Sequence, residues 1–426
     1  MKRRSLLLGT GALALTQLLA GCNTSTEGLR VLFLKDSIPP QLLKDFRQHL
    51  AKKTTLSFAP REQLAELFAL LERWHHESTA LPSDTPSGGS LPRPSRSPAA
   101  DQADLVTLGD SWLTAAIQQG LVQPLDLEQL SGWAQLPPEW QALVRRDQAG
   151  NLDPQGQVWA APYRWGTLTI AYHKEKFDSL GWTPQDWADL WRPELKQHIS
   201  LPDNARAVIG LTLKKLGRSV NSENLQAIAT LQSELTALQQ QVKFYSSEAY
   251  LQPLILEDTW LAVGWSTDLL PIVERNPAIA AVTPASGTIL WSDLWVRPAN
   301  VAQGAARSSN AASLSAANSP AASSSATSSP AVSSSSQAIA LAEEWIDFCW
   351  NPEIATKISL LTAAASPIVA LNRADLPDSL KNNALLLPDP KILRQSEFLL
   401  PLPAATVAQY RQMWETVRQS GVAPSN

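Results

Sequence analysis

Trp291 and Trp295 flank Asp293 in the stretch Ile289-Leu290-Trp291-Ser292-Asp293-Leu294-Trp295-Val296, which closes at Pro298. Its β-branched and aromatic content predicts a strand that stops at the proline. Alternation along a strand puts Trp291, Asp293 and Trp295 on one face. Indole faces attract cations, by ~2 kcal/mol or more once water is excluded. A carboxylate held among them adds a charge-assisted hydrogen bond. This is chemistry for an ammonium or a similar cation. Trp265, in Leu261-Ala262-Val263-Gly264-Trp265-Ser266-Thr267-Asp268, adds a third indole where a strand runs into a helix start. A second reading stays open here: a pair of core tryptophans, with Asp293 accepting from a nearby backbone N–H.

Other chemistry is poorly represented. The five histidines, His49, His75, His76, His173 and His198, form no H-E-x-x-H zinc motif. His75 and His76 are neighbours on a predicted helix, so they face different directions and cannot chelate one ion. The chain has no G-x-S-x-G elbow, P-loop or G-x-G-x-x-G. No enzyme and no cofactor are expected.

The elements that must position these residues are those of a two-domain protein, since 426 residues suffice for two cores. Leu29–Leu34 reads as a first strand, and Pro39-Pro40 opens a helix. A second helix is expected near Glu62 to Glu77. Ala103 to Gly109 is a strand, and Asp110-Ser111-Trp112 starts a helix that ends near Gly120. Trp165 to His173 and Ile199 to Leu201 continue the strand pattern, with a helical stretch at Pro184 to Trp191 between them. Asp203 is the expected cap of the helix Asn204 to Leu216. Glu223 to Val242 carries one apolar stripe at helical spacing, and Gln337 to Trp350 forms an amphipathic helix with a buried Cys349. This alternation predicts an α/β fold. Pro82 to Pro98 and the Ser/Ala-rich run Ala302 to Ser336 read as loops, the second too poor in apolar surface to order itself.

The N-terminus reads as a secretory signal, 1–21, followed by a tether, 22–28. Lys2, Arg3 and Arg4 precede a largely apolar Leu6 to Ala20, and Leu19-Ala20-Gly21-Cys22 looks like a bacterial lipobox. Cys22 is then the lipidated residue that holds the protein on the membrane. Arg3-Arg4-Ser5-Leu6-Leu7 also resembles a twin-arginine signal. Removing Lys2, Arg3 and Arg4 from 35 basic against 39 acidic residues moves the net charge from −4 to −7. That balance speaks against nucleic acid as a partner, because binding phosphates needs a basic surface.

The order of motifs resembles the spermidine/putrescine-binding receptors of bacterial ABC importers. The match runs, with gaps, from about residue 29 to the C-terminus. Its most specific stretch is Trp187-Ala188-Asp189-Leu190-Trp191-Arg192-Pro193-Glu194-Leu195-Lys196, followed by Leu201-Pro202-Asp203-Asn204-Ala205-Arg206 and Lys215-Leu216-Gly217. Ala161-Pro162-Tyr163-Arg164-Trp165-Gly166-Thr167 matches a P-Y-x-W-G-[AT] segment, and Ser366-Pro367 with Leu371-Asn372 fits a crossover. The resemblance implies a two-lobed periplasmic-binding-protein fold of the type II, Venus-flytrap kind. Lobe 1 would be 29–166 plus 291–371, and lobe 2 167–290 plus 372–426. A monomer would capture a small solute in the interlobe cleft, outside the inner membrane, and present it to a permease.

Trp265, Trp291 and Asp293 fall where the family places ligand-binding residues. Elsewhere the chain departs from the family. Leu34-Lys35-Asp36-Ser37 stands where aromatics are usual, Gly109-Asp110-Ser111 where a serine and an aromatic are, and Asn204 and Ala207 where acids hold a second amine. Asp110 is either a substitute acid or a helix N-cap. The expected binding set is therefore Trp265, Trp291, Asp293, Asp110, Ser111 and Asn204, with an amine-bearing cation as ligand. A sugar or an anion on the same fold is the alternative, and an extracytoplasmic enzyme a distant third.

Overall fold

Gly28–Leu34 pairs in parallel with Thr55–Arg61 on one side and Leu105–Gly109 on the other, giving one half of an 11-stranded sheet. The structure, a computed structural model, describes residues 28–51, 54–79, 102–299, 334–370 and 373–420. The expected signal and Cys22, the Pro82 to Pro98 loop, most of the Ser/Ala-rich run and Leu371-Asn372 lie outside the described residues. In the other half of the sheet, Ile199–Pro202 lies parallel to both Leu261–Trp265 and Val242–Ser246. The two parallel halves meet through antiparallel pairing of the long strands Ala161–His173 and Ile289–Pro298.

Those two strands pass from one hydrophobic core to the other. Ala161, Tyr163 and Trp165 pack in the first core, and Leu168 and Ile170 in the second. On the partner strand the switch falls between Ile289, in the second core, and Leu290, in the first. Within the first core, the Trp165 and Ala365 backbones exchange N–H···O bonds of 2.8 and 3.0 Å. Leu376, Leu380, Leu386, Leu387 and Phe398 pack in the first core, whereas Tyr410 and Val417 belong to the second. By its packing, then, the chain passes from the first core to the second over 398–402, later than the expected boundary at 371–372.

Several elements differ from the sequence reading for identifiable reasons. Thr55–Arg61 was not legible as a strand because it contains Pro60. It is an edge strand, where a missing N–H is tolerated. The long helix expected over Glu223 to Val242 is a 3₁₀ turn at Leu225–Ala227, capped by Asn224, and then a helix only at Leu231–Gln241. Val242 already belongs to a strand. Pro184 to Trp191 contributes only a 3₁₀ turn, Trp187–Trp191, held by a capping box between Asp186 and Asp189. Eight of the sixteen tryptophans are buried and seven more pack half-buried against the cores, so core packing accounts for most of them. Cys349 is one of the buried residues beside them, and burial pushes its thiol well up.

Candidate functional site

A cavity of about 900 Å³ opens at the seam between the two cores. Trp265, Trp291, Asp293, Asp110, Ser111 and Asn204 all line it, so the structure brings the six expected residues to one place. Trp295 is not among them. The pairing slips by one residue after Asp293, which stands opposite Arg164 while Leu294 stands opposite Pro162. Tyr163 is the extra residue of this bulge. It stacks on Trp295 at 4.4 Å between ring centroids, and Trp295 is fully buried in the first core against Trp345. The shared face expected for Trp291, Asp293 and Trp295 therefore serves the cleft through the first two residues only.

Gly166 explains how Trp291 is seated. A Cβ there would lie 2.7 Å from Cζ2 of the Trp291 indole, so only glycine lets the ring lie against the neighbouring strand. Next along the strand, the Thr167 N–H donates to Ser266 Oγ at 3.0 Å, which ties the start of the helix Ser266–Arg275 to the seam. Trp265 immediately precedes that helix and pairs with Leu168.

The carboxylate between the tryptophans has a partner that the spacing did not reveal. Arg164 Nε donates to Asp293 Oδ2 at 2.6 Å, and both side chains are almost wholly buried. Burial pushes the Asp293 carboxyl up, and the charge and N–H of Arg164 oppose the shift. The same guanidinium lies over the Trp291 ring, 5.7 Å from its centroid. Asp293 thus reaches the cleft as half of an ion pair.

Two other carboxylates line the cavity, and among the described residues neither is ion-paired. Asp110 opens a 3₁₀ turn, Asp110–Trp112, whose cap position belongs to Gly109, so the alternative role as an N-cap does not apply. Burial pushes Asp110 up to about 7. Backbone N–H groups of Ser292 and Ser111 resist the shift, the Asp293 charge adds to it, and Arg146 opposes it. Asp268, in the first turn of Ser266–Arg275, accepts a hydrogen bond from the Tyr250 hydroxyl and is also raised by burial. The sequence signal for Asp268 was its place three residues after Trp265, at a helix start.

The wall facing the strands is different. Leu399, Leu400, Pro401 and Leu402 give it an apolar surface, with Arg206 and Arg411 beside them. Arg206 donates to Asn221 Oδ1 at 3.0 Å and lies over the Tyr410 ring at 4.9 Å. Asn204, not Asp203, caps the helix Ala205–Lys215: its Oδ1 accepts the Ala207 N–H at 2.9 Å. No group of His, Cys, Asp and Glu among the described residues could hold a metal ion.

A family model described as bacterial extracellular solute-binding protein matches residues 100–331, more than half of the chain. The spermidine/putrescine-binding periplasmic protein of Salmonella typhimurium is 28% identical over 197 residues, 46% of this chain and 54% of that protein. A putrescine-binding periplasmic protein of Escherichia coli is 27% identical over 212 residues, 46% of this chain and 56% of that protein. The chain therefore spans about half the length of the curated relatives it matches. Among solved structures, the substrate-binding protein of a spermidine/putrescine ABC transporter from Streptococcus pneumoniae superposes with a TM-score of 0.69 at 20% identity, covering 93% of this chain and 99% of that one. A lipoprotein of Treponema pallidum gives 0.59 at 16%, covering 91% and 98%. These likenesses bear out the expected α/β periplasmic-binding-protein fold. The chain belongs to the bacterial extracellular solute-binding proteins, a family of binders rather than enzymes.

Proposed function

We propose that this chain is the extracytoplasmic receptor of an ABC importer, held on the membrane by lipid on Cys22, exported by its signal segment, and delivering an amine-bearing cation to a permease. The two cores act as two lobes, with Ala161–His173 and Ile289–Pro298 as the strands between them and the cavity as the cleft that closes on its solute. The observation that carries the choice of ligand is the meeting, in one cleft, of the Trp265 and Trp291 indoles with two carboxylates, Asp110 and Asp268, that have no ion-pair partner among the described residues. Ser111 and Asn204 add polar edges. The polyamine-binding relatives favour the same class of ligand.

Because Asp293 is neutralised by Arg164, its removal would unpair a buried guanidinium and report on folding rather than on ligand charge. Asp268→Asn is the cleaner probe. Thermal-shift screening of the detergent-solubilised full chain against amines, sugars and organic anions tests the reading, since a ligand of the folded state alone raises the melting temperature. Amines should stabilise, and less so in Asp268→Asn. Stabilisation by sugars or anions without any amine would reject it. The second reading, an anionic solute, draws on Arg206 and Arg411, which line the same cleft.

A further inference from the structure

The charges of the cleft are balanced. Asp110, Asp268 and Asp293 line it together with Arg164, Arg206 and Arg411. Arg164 and Asp293 satisfy each other. That leaves two carboxylates and two guanidiniums, and none of the four has an ion-pair partner among the described residues. They are also sorted in space. Asp110 is coupled to the inter-core strands through the Ser292 N–H and the Asp293 charge, and Asp268 feels Arg164. Arg206 instead lies over Tyr410, the residue before Arg411, and donates weakly to the Leu400 carbonyl at 3.4 Å. The acids thus group around the strands and the arginines along the 399–411 wall, with Leu399, Leu400 and Leu402 offering apolar surface there.

A simple diamine answers only half of this arrangement. One ammonium meets a carboxylate among indoles, but the second has guanidiniums on its side of the cleft, and like charges brought together in a desolvated cleft repel. A bare anion meets the mirror problem at Asp110 and Asp268. We infer that the ligand is zwitterionic: an ammonium held by Asp110, Asp268, Trp265 and Trp291, a short apolar middle against the leucines, and a carboxylate or comparable anion at Arg206 and Arg411. This rests on the amine reading above and specifies the other end of the same ligand. Guanidinium suits the role because its planar fork meets a carboxylate with two parallel N–H···O bonds.

The test is calorimetric titration of the detergent-solubilised full chain with three matched series, ω-amino carboxylates, α,ω-diamines and simple carboxylates, each with about three to eight methylenes to suit the cavity. The best amino carboxylate should bind about tenfold or more tighter than the best diamine and the best carboxylate, one good charge-assisted contact being worth that factor. Arg411→Gln, on an exposed part of the helix Ala404–Ser420, should weaken the amino carboxylate and leave the diamine unchanged or improved. Arg206→Gln should act the same way. Because it also removes bonds to Asn221 and Leu400, Arg411→Gln is the deciding variant. A diamine that equals or beats the amino carboxylate overturns the inference while leaving the amine reading in place. So does an Arg411→Gln variant that weakens both equally or neither. Simple carboxylates binding best, or no binding in any series, overturns both.

Discussion

The two walls of the cleft are built in different ways, and the contrast shows where specificity can change without loss of fold. The wall at the inter-core strands is tightly packed, and its Arg164–Asp293 ion pair is satisfied within it. Gly166 seats Trp291, Arg164 neutralises Asp293, and a bulge at Tyr163 sends Trp295 into the core. The opposite wall is a connecting segment, Leu399–Leu402, followed by one helix. Its leucines are only half-buried against the cores, and on the helix Val407 is 41% exposed and Arg411 is exposed. A protein can rewrite the second wall for a new solute, whereas a change in the first disturbs the joint between its cores.

The sharpest way to break this comparison is to remove Arg164. Arg164→Ala leaves Asp293 buried and unpaired, and should cost about 3–5 kcal/mol in urea unfolding. A double change of Arg164 and Asp293 to apolar residues of similar volume should recover most of it. A loss below about 1 kcal/mol, typical of an exposed pair, would mean that the wall is not held in this way. Gly166→Ala comes next. Its Cβ meets the Trp291 indole and the Ser266 hydroxyl, so about 1–3 kcal/mol of stability should be lost. Ligand affinity should fall with it, because the indole has to move. Retained affinity alongside lost stability would show that Trp291 does not touch the solute.

Much of the first wall was legible in the sequence. Trp265, Trp291 and Asp293 fell where the family match placed ligand residues, and all three line the cleft. What stayed hidden were partners distant along the chain. Arg164 lies 129 positions from Asp293, and no local pattern announces such a pair. The fate of Trp295 was misread because alternation assumes regular pairing, and a bulge is invisible to periodicity. The far wall was least legible. Leu399–Leu402 has no motif, and its position follows from where the chain leaves the first core. Asp268 did carry a local signal, beside Trp265, but its use depends on a hydroxyl from Tyr250.

Asp110 gives the comparison a pH signature. Burial pushes its carboxyl up to about 7, well above an ordinary aspartate. A group raised by folding is bound to its proton more tightly in the folded state. Its contribution therefore favours the fold at low pH and is lost as pH rises through 7. An amine ligand needs the ionised form, so the dependence of binding runs the other way. Affinity for an amine should fall about tenfold from pH 8 to pH 6, and Asp110→Asn should flatten the profile. Titration calorimetry at a series of pH values, with an amine whose own charge is constant over the range, measures this. A flat wild-type profile would remove Asp110 from the amine end.

Asn204 is the smallest effect and the finest discriminator, because it belongs to both accounts of the far wall. It stands where the resemblance to polyamine-binding receptors implies an acid for a second amine, and it lines the cleft. Yet its Oδ1 is already engaged by the Ala207 N–H, and its amide nitrogen, with no partner among the described residues, is the group that could meet a solute. A cap is worth about 1 kcal/mol, and serine or aspartate replaces asparagine in that role with little loss. Asn204→Ala should therefore lower stability by about 1 kcal/mol, and Asn204→Ser should restore it. If capping is its whole task, affinity should change less than about twofold in either variant, well under one hydrogen bond's worth. A loss of affinity in Asn204→Ser at full stability would instead make the amide a ligand contact. The far wall would then reach beyond Leu399–Arg411 to the N-terminus of the helix Ala205–Lys215, whose partial positive charge favours the anionic end of a solute.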